Sequence, residues 1–340
     1  MSATTVSRTA AGSAPRPPRT LGTAWVVWRR HRIAAWTTLA VLAALCAELV
    51  WLRGAMTEYV AAHGLAAPCA TEGDCAAHAA AVEEFGLRYG GFLGGNALLL
   101  EFLPLLAGMF VAGPVIAREL ESGTYKVAWT QSVSPLRWFA VKLGLPVAAL
   151  LVGASVLSAV FLWTWRSVGH LDHGRLVDGT HWYEAFDALG PAPVANVLFG
   201  AALGALAGLL LRRTLPAMAV TAFACVLLYW PLTAVRPYLV DPVTTTRMSY
   251  LETRPFAGKD SWEYERGSIT VSGRRLPDTD CHLAHVPTDC LARHGADGYY
   301  LDYHPPAHFQ RLELAQAGVV AAAAVACAAG ALWRVRRLCP

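Results

Sequence analysis

The sequence predicts an all-α integral membrane protein with six transmembrane helices, an N-terminal interfacial helix and a small extracytoplasmic cap between the last two spans. Two observations carry that fold class. Hydrophobic residues make up 55% of the chain and charged residues 15%, against roughly 25% charged in soluble domains, and mean hydropathy is +0.38. So few charges cannot cover a water-facing surface unless lipid covers part of it. The second observation is six apolar stretches, each long enough for a hydrocarbon core of ~30 Å, which about 20 helical residues cross. Wholesale disorder, a collagen-like repeat and a small disulfide-stapled fold are excluded for the bulk of the chain.

Residues 1–20, rich in Ala, Ser, Thr, Arg and Pro, read as a disordered cytoplasmic tail. Over 21–32, Leu21, Ala24, Trp25 and Trp28 recur at helical spacing ahead of Arg29, Arg30 and Arg32. That pattern predicts a helix lying in the inner interface, its aromatics in lipid and its cations in water. The arginines resemble a signal-peptide charge cluster, but the apolar run behind them is too long and five more spans follow, so a retained first helix is expected.

The spans fall at about 33–52, 91–117, 139–165, 191–211, 215–235 and 314–333, five of them within a 33–235 region and the last within 314–340. The second is overlong, opens on a glycine cluster and contains Pro104 and Pro114, so a kinked or broken helix is expected. Ser134 and Pro135 form a cap followed by a first-turn proline, which starts the third span. Gly200, Gly204 and Gly208 line one face of the fourth span, and Gly318, Ala322, Ala326 and Gly330 one face of the last. Such stripes let helix backbones approach closely.

Strict alternation puts residues 53–90, 166–190 and 236–313 on one side. The N-terminal region, 118–138, 212–214 and the tail from Arg334 lie on the other. The second set holds about half of the basic residues on a much shorter length, and Glu119 and Glu121 are its only acids. Positive charge resists translocation, so both termini are expected in the cytoplasm, and the arginine bias with abundant Ala and Gly suggests a bacterial coding sequence, hence a plasma membrane. The basic residues are nearly all arginine, and no basic patch interleaved with aromatics suggests nucleic-acid binding.

Cys46, Cys225 and Cys327 lie in spans, where thiols act as apolar packers, and Cys339 lies in the tail. Cys69, Cys75, Cys281 and Cys290 all fall on the outer side, where local pairing as Cys69–Cys75 and Cys281–Cys290 is the simplest of three connectivities. Cys281, His282, His285, Cys290 and His294 have zinc-ligand chemistry, but their spacing fits no common zinc module, and no metal is expected. The 236–313 segment is long enough for a folded cap: residues 268–272 read as a strand entering a turn at Gly273. Tyr299, Tyr300, Tyr303, His304 and Phe309 read as an aromatic belt at the headgroups.

Glu48 and Glu101 are acids inside apolar spans, each costing about 2.5–3.5 kcal/mol at a helix centre on insertion scales. Glu48, near the end of its span, is expected to reach the headgroups; Glu101 faces either a cavity or an interface, or sits blandly at a helix end. No catalytic constellation appears. Gly258-Lys259 is followed by Asp260 and lacks the glycine five residues earlier that a phosphate loop needs, so the chain is not an ATPase.

The segment Ala117-Arg118-Glu119-Leu120-Glu121-Ser122-Gly123-Thr124, followed by Trp129-Thr130-Gln131-Ser132 and Trp138, resembles the permease subunits of type-2 ABC exporters, in their actinobacterial branch. Tyr303-His304-Pro305 leading to Phe309 is similar to that branch too. The resemblance spans nearly the whole chain; the long insertion before the last span departs from it. It implies a translocation path built by this chain and a second permease, identical or not, in contact with membrane lipids and carrying an exported substrate. A separate ABC ATPase subunit would hold ATP and Mg, with no cofactor in this chain. The loop after the second span, through Arg118, Glu119, Glu121, Gly123, Thr124 and Trp129, would then couple to that ATPase. Two other classes stay open: a membrane enzyme acting on an extracytoplasmic lipid or glycan, and a non-transporting sensor or immunity protein.

Overall fold

The computed structural model describes residues 19–66, 72–130, 134–168, 181–248, 255–258, 260–277 and 293–337, with backbone alone at 19–31, 34, 72–74 and 128. The chain divides into two units, residues 1–44 and 45–340. The first unit is described from Arg19 onward as helix, the beginning of α1 (Arg19–Ala62). No break in that helix marks off residues 21–32, and the tail at 1–18 lies outside the described residues.

The second unit holds the bundle. After α1 come α2 (Glu72–Phe85), α3 (Gly91–Leu106), α4 (Gly113–Ser122), the short α5 (Tyr125–Thr130), α6 (Pro135–Trp165), α7 (Ala192–Leu211), α8 (Thr214–Val235) and α9 (Phe309–Arg336). Six helical stretches are long and apolar enough to cross a membrane, as expected. The second differs in extent: it runs Cys75–Ser122 over 48 residues, longer than the expected 91–117. Two π-helical turns, Gly86–Gly90 and Ala107–Ala112, join its pieces. Pro104 and Pro114 bracket the second turn. Neither has an N–H to give, and between them the ladder is rephased rather than broken.

The 53–90 stretch is also more helical than a connecting loop. The end of α1 and α2 form a hairpin on the cap side, in which Met56, Tyr59, Val82, Phe85 and Tyr89 are buried. Tyr59 donates to Ala81 O at 3.2 Å, and its ring lies 5.8 Å from Phe85 and 5.9 Å from Tyr89.

At the centre stands α7. More than half of it is buried, against a third or less of every other span. Near the α5 end, Ala201, Ala205 and Leu209 of α7 join Ile116, Leu120, Trp138, Leu143, Ala331 and Val335 in one core. Nearer the cap, Phe199 packs on Val320 and Ala324 of α9.

The cap adds a sheet to the otherwise helical chain. Strands β1 (Val243–Arg247), β2 (Trp262–Thr270), β3 (Arg275–Pro277) and β4 (Ala296–His304) form an antiparallel sheet in the order β1-β4-β2-β3. The anticipated strand at 268 is the end of β2, and Gly273, at φ +82°, makes the turn into β3. The aromatic-belt reading is corrected here for Tyr300 and His304. Tyr300 and His304 are 1% and 0% exposed because β4 lies between two partner strands and buries them. Tyr300 donates to Glu265 Oε1 at 2.8 Å, and burial followed by that bond pushes the phenol above its ordinary range. Asp302 takes Thr244 Oγ1 from β1 and Arg275 Nη1 from β3, both at 2.5 Å, which pins the two edges to the central strand.

Candidate functional site

Three clusters of candidate residues occupy different heights of the bundle. The first is the turn from α4 to α6. Gly123 ends α4 in the left-handed region at φ 72°, where a side chain would be strained, and releases the chain into α5. Ser134 caps α6 by accepting from Arg137 N at 3.3 Å. Between them α5 carries exposed Lys126, Val127 and Thr130. Tyr125, Trp129 and Trp138 make a ladder of edge-on rings, 4.7 and 6.2 Å apart, that ties α5 back to α6.

The two acids of this turn are not stranded. Glu119 accepts from Trp138 Nε1 at 2.8 Å and pairs with Lys142, both on α6. Glu121 accepts the backbone N–H of Thr214 at 2.9 Å and its hydroxyl at 2.7 Å, capping α8. Each of the two acids thus binds a different span. Arg118 and Thr124 remain exposed, and Thr124 Oγ1 lies 2.9 Å from Ser122 Oγ.

The second cluster is the glycine seam. A Cβ built on Gly200 would lie 2.1 Å from Pro104 O, one on Gly204 2.3 Å from Gly108 O, and one on Gly208 2.8 Å from Gly113 O. All three glycines face the proline-bracketed π segment of the second span, backbone against backbone. The stripe is thus internal to the protomer. On α9, by contrast, Gly318 has open space where its Cβ would be.

The third cluster lies toward the cap. Arg236, at the end of α8, donates Nη2 to Asp187 Oδ2 at 2.5 Å and Nε to Gln316 Oε1 at 2.8 Å, with its guanidinium 4.2 Å above the Phe186 ring. Gln316 Nε2 donates to Asp187 Oδ1 at 2.6 Å. Tyr229 O–H lies within hydrogen-bonding reach of Glu101, and 3.1 Å from Asp187 Oδ2. Glu101 thus joins a network that unites α3, the 186–188 turn, α8 and α9. Glu48 does not stand alone at the headgroups: Asn96 Nδ2 donates to its Oε1 at 3.3 Å, tying α1 to α3.

Among the sequence-predicted residues, Cys69, Cys281 and Cys290 lie outside the described residues, as do His282 and His285 of the weighed zinc set. Cys75 is disulfide-bonded, and Cys46, Cys225 and Cys327 are free thiols. Among the described residues no group of three His, Cys, Asp or Glu side chains is placed to hold a metal ion. Sequence reasoning missed Asp187, Arg236, Gln316, Tyr229 and Asn96. The available signal was weak: a charge at each of two span ends and a glutamine inside an apolar run.

Six helices long and apolar enough to cross a membrane, one of them the buried, glycine-faced α7, define a multi-pass α-helical membrane protein. Residues 39–236 match the family described as ABC-2 membrane transporter related. The chain belongs to that family, whose members are membrane permease subunits of ABC transporters and associate with an ABC ATPase subunit. No curated protein and no solved structure matches the chain.

Proposed function

We propose that this chain is the permease subunit of an ATP-driven exporter, of the actinobacterial type, working with a second permease and with a separate nucleotide-binding subunit that carries ATP and Mg. The termini and α5 face the cytoplasm of the bacterial plasma membrane, and the sheet faces outward. In that oxidising exterior Cys69–Cys75 and Cys281–Cys290 form local disulfides.

The observation that carries the reading is the bracing of α5. A six-residue helix exposes Val127 (60%) and Lys126 at the end of the bundle. The turn ahead of it is fixed to α6 through Glu119 and to α8 through Glu121. A push on α5 by a docked ATPase is thereby delivered to two spans rather than absorbed by a loose loop. On this reading Arg118, Thr124 and Trp129 frame the docking surface, with Gly123 as the corner and the two glutamates as struts.

Copurification tests it. Full-length chain coexpressed with its nucleotide-binding subunit should retain that subunit, and Val127→Asp should release most of it while leaving the six spans inserted. A Val127→Asp chain that holds the ATPase and supports transport as before overturns the assignment of α5.

A further inference from the structure

Tyr229 has one hydroxyl hydrogen and two carboxylates within reach. The two acids are unequally served. Asp187 already receives Arg236 on Oδ2 and Gln316 on Oδ1, both shielded in the bundle. Glu101 is half-buried, and among the described residues Tyr229 is its one hydrogen-bond donor. When that hydrogen turns to Asp187, Glu101 has none.

The position makes this matter. Glu101 lies roughly 25 Å along the helix from Arg118, inside the cap-side part of the hydrocarbon core. A carboxylate at that depth does not face lipid without a large penalty. Its surroundings are apolar. Leu98 precedes Glu101 by three residues and Val226 precedes Tyr229 by three, so each shares a helix face with the polar group. Leu98 and Val226 are exposed, and so are Phe102 and Trp230, which as next neighbours in sequence lie to one side of that face. The patch presents one under-satisfied negative charge and a phenol among aromatic and aliphatic surface.

We propose that Glu101 and Tyr229 form the recognition point for a lipophilic organic cation, which makes that class the transported substrate. This rests on the permease reading above. The charge complements Glu101 in a low-dielectric setting, where an ion pair is far stronger than in water. The apolar body covers Leu98 and Val226, which share the helix faces of Glu101 and Tyr229. Binding lets Tyr229 turn wholly to Asp187, so occupancy of the site is communicated to Arg236 and Gln316, and through them to α8 and α9.

The test uses the full chain with its ATPase in lipid nanodiscs and two probes of matched shape and opposite charge, tetraphenylphosphonium and tetraphenylborate. Saturable tetraphenylphosphonium binding is expected, with tetraphenylborate much weaker. Glu101→Gln should weaken the cation by about tenfold or more, as loss of a charge-assisted contact does. Glu101→Asp, which keeps the charge, should retain most of the affinity, and this guards against a fold defect in the first variant. Equal binding of both probes, or unchanged binding in Glu101→Gln with Glu101→Asp intact, overturns the proposal. The two readings fail separately. A chain that holds its ATPase yet binds no tetraphenylphosphonium refutes the substrate class alone, whereas a chain that holds no ATPase refutes the permease reading beneath it.

Discussion

Glu121 closes the start of α8 with a single oxygen: Thr214 gives its Oε2 a backbone N–H at 2.9 Å and a hydroxyl at 2.7 Å. The first turn of a helix has backbone donors with no internal partner, and a side-chain acceptor normally comes from the residue just before it. Here Arg213 stands at that position and makes no capping bond. The acceptor is imported from the end of α4, 93 residues earlier.

Glu121→Ala should therefore lower stability, as the loss of a cap does. Amide exchange at residues 214–217 should speed up, and, on the exporter reading proposed above, the ATP hydrolysed per substrate moved should rise as α8 disengages from the turn. Unchanged exchange there would show that the cap is dispensable.

Gly204 sits in the middle of the seam, where a Cβ would meet Gly108 O at 2.3 Å. Gly204→Ala should destabilise the solubilised protein by about 1–3 kcal/mol through overpacking. Gly318→Ala, with nothing within 4 Å, should leave the melting temperature in place. Equal melting temperatures for the two variants would refute the close approach.

The Asp187–Arg236 pair is buried, with both side chains under one-tenth exposed. Removing one partner leaves a charge unpaired in the bundle, so Asp187→Asn or Arg236→Gln should each cost about 3–5 kcal/mol. The double replacement should cost clearly less than the two added together. Strict additivity in a thermal-stability cycle would show that the pair is not coupled.

His304 supplies a pH dependence. Burial holds its pKa below the ordinary value, against the opposing bond to Pro237 O at 3.0 Å; nearby His308 lowers it further. A depressed histidine adds stability when neutral. That contribution is full above an unfolded value of about 6.5 and is lost as pH falls through the folded value. Exchange protection of β4 should therefore drop between neutral and mildly acidic pH, and His304→Gln should flatten the profile. A protection profile that is flat in both proteins would contradict this.

The spans were legible because crossing a membrane imposes a length and a polarity on each segment separately, and local sequence carries both. The Ser134–Pro135 helix start and the Gly273 turn were legible for the same reason. The helical hairpin of α1 and α2 was hidden because its core residues, Met56, Tyr59, Val82 and Phe85, are diluted by charged neighbours such as Glu58, Glu83 and Glu84. The carboxylates were found, but their partners were not. Counting charges by side identified Glu119 and Glu121 as unusual, yet Lys142 and Thr214 are their partners only after α4, α6 and α8 are packed together. The Asp187–Arg236–Gln316 network joins residues 49 to 129 positions apart, which no local pattern reveals.

Strand β4 ends at His304, and after Pro305 and one short turn at 306–308 the same backbone becomes α9. The most enclosed strand of the cap and a 28-residue span are thus one continuous piece of chain. At 1.5 Å per residue α9 is roughly 42 Å long. A change of about 10° in its tilt moves one end by ~7 Å relative to the other, by the same helix geometry. The sheet is therefore a pointer attached to a rod. A fluorophore on the exposed rim of β1 would report the inclination of the last span from outside the lipid, without a label inside the membrane.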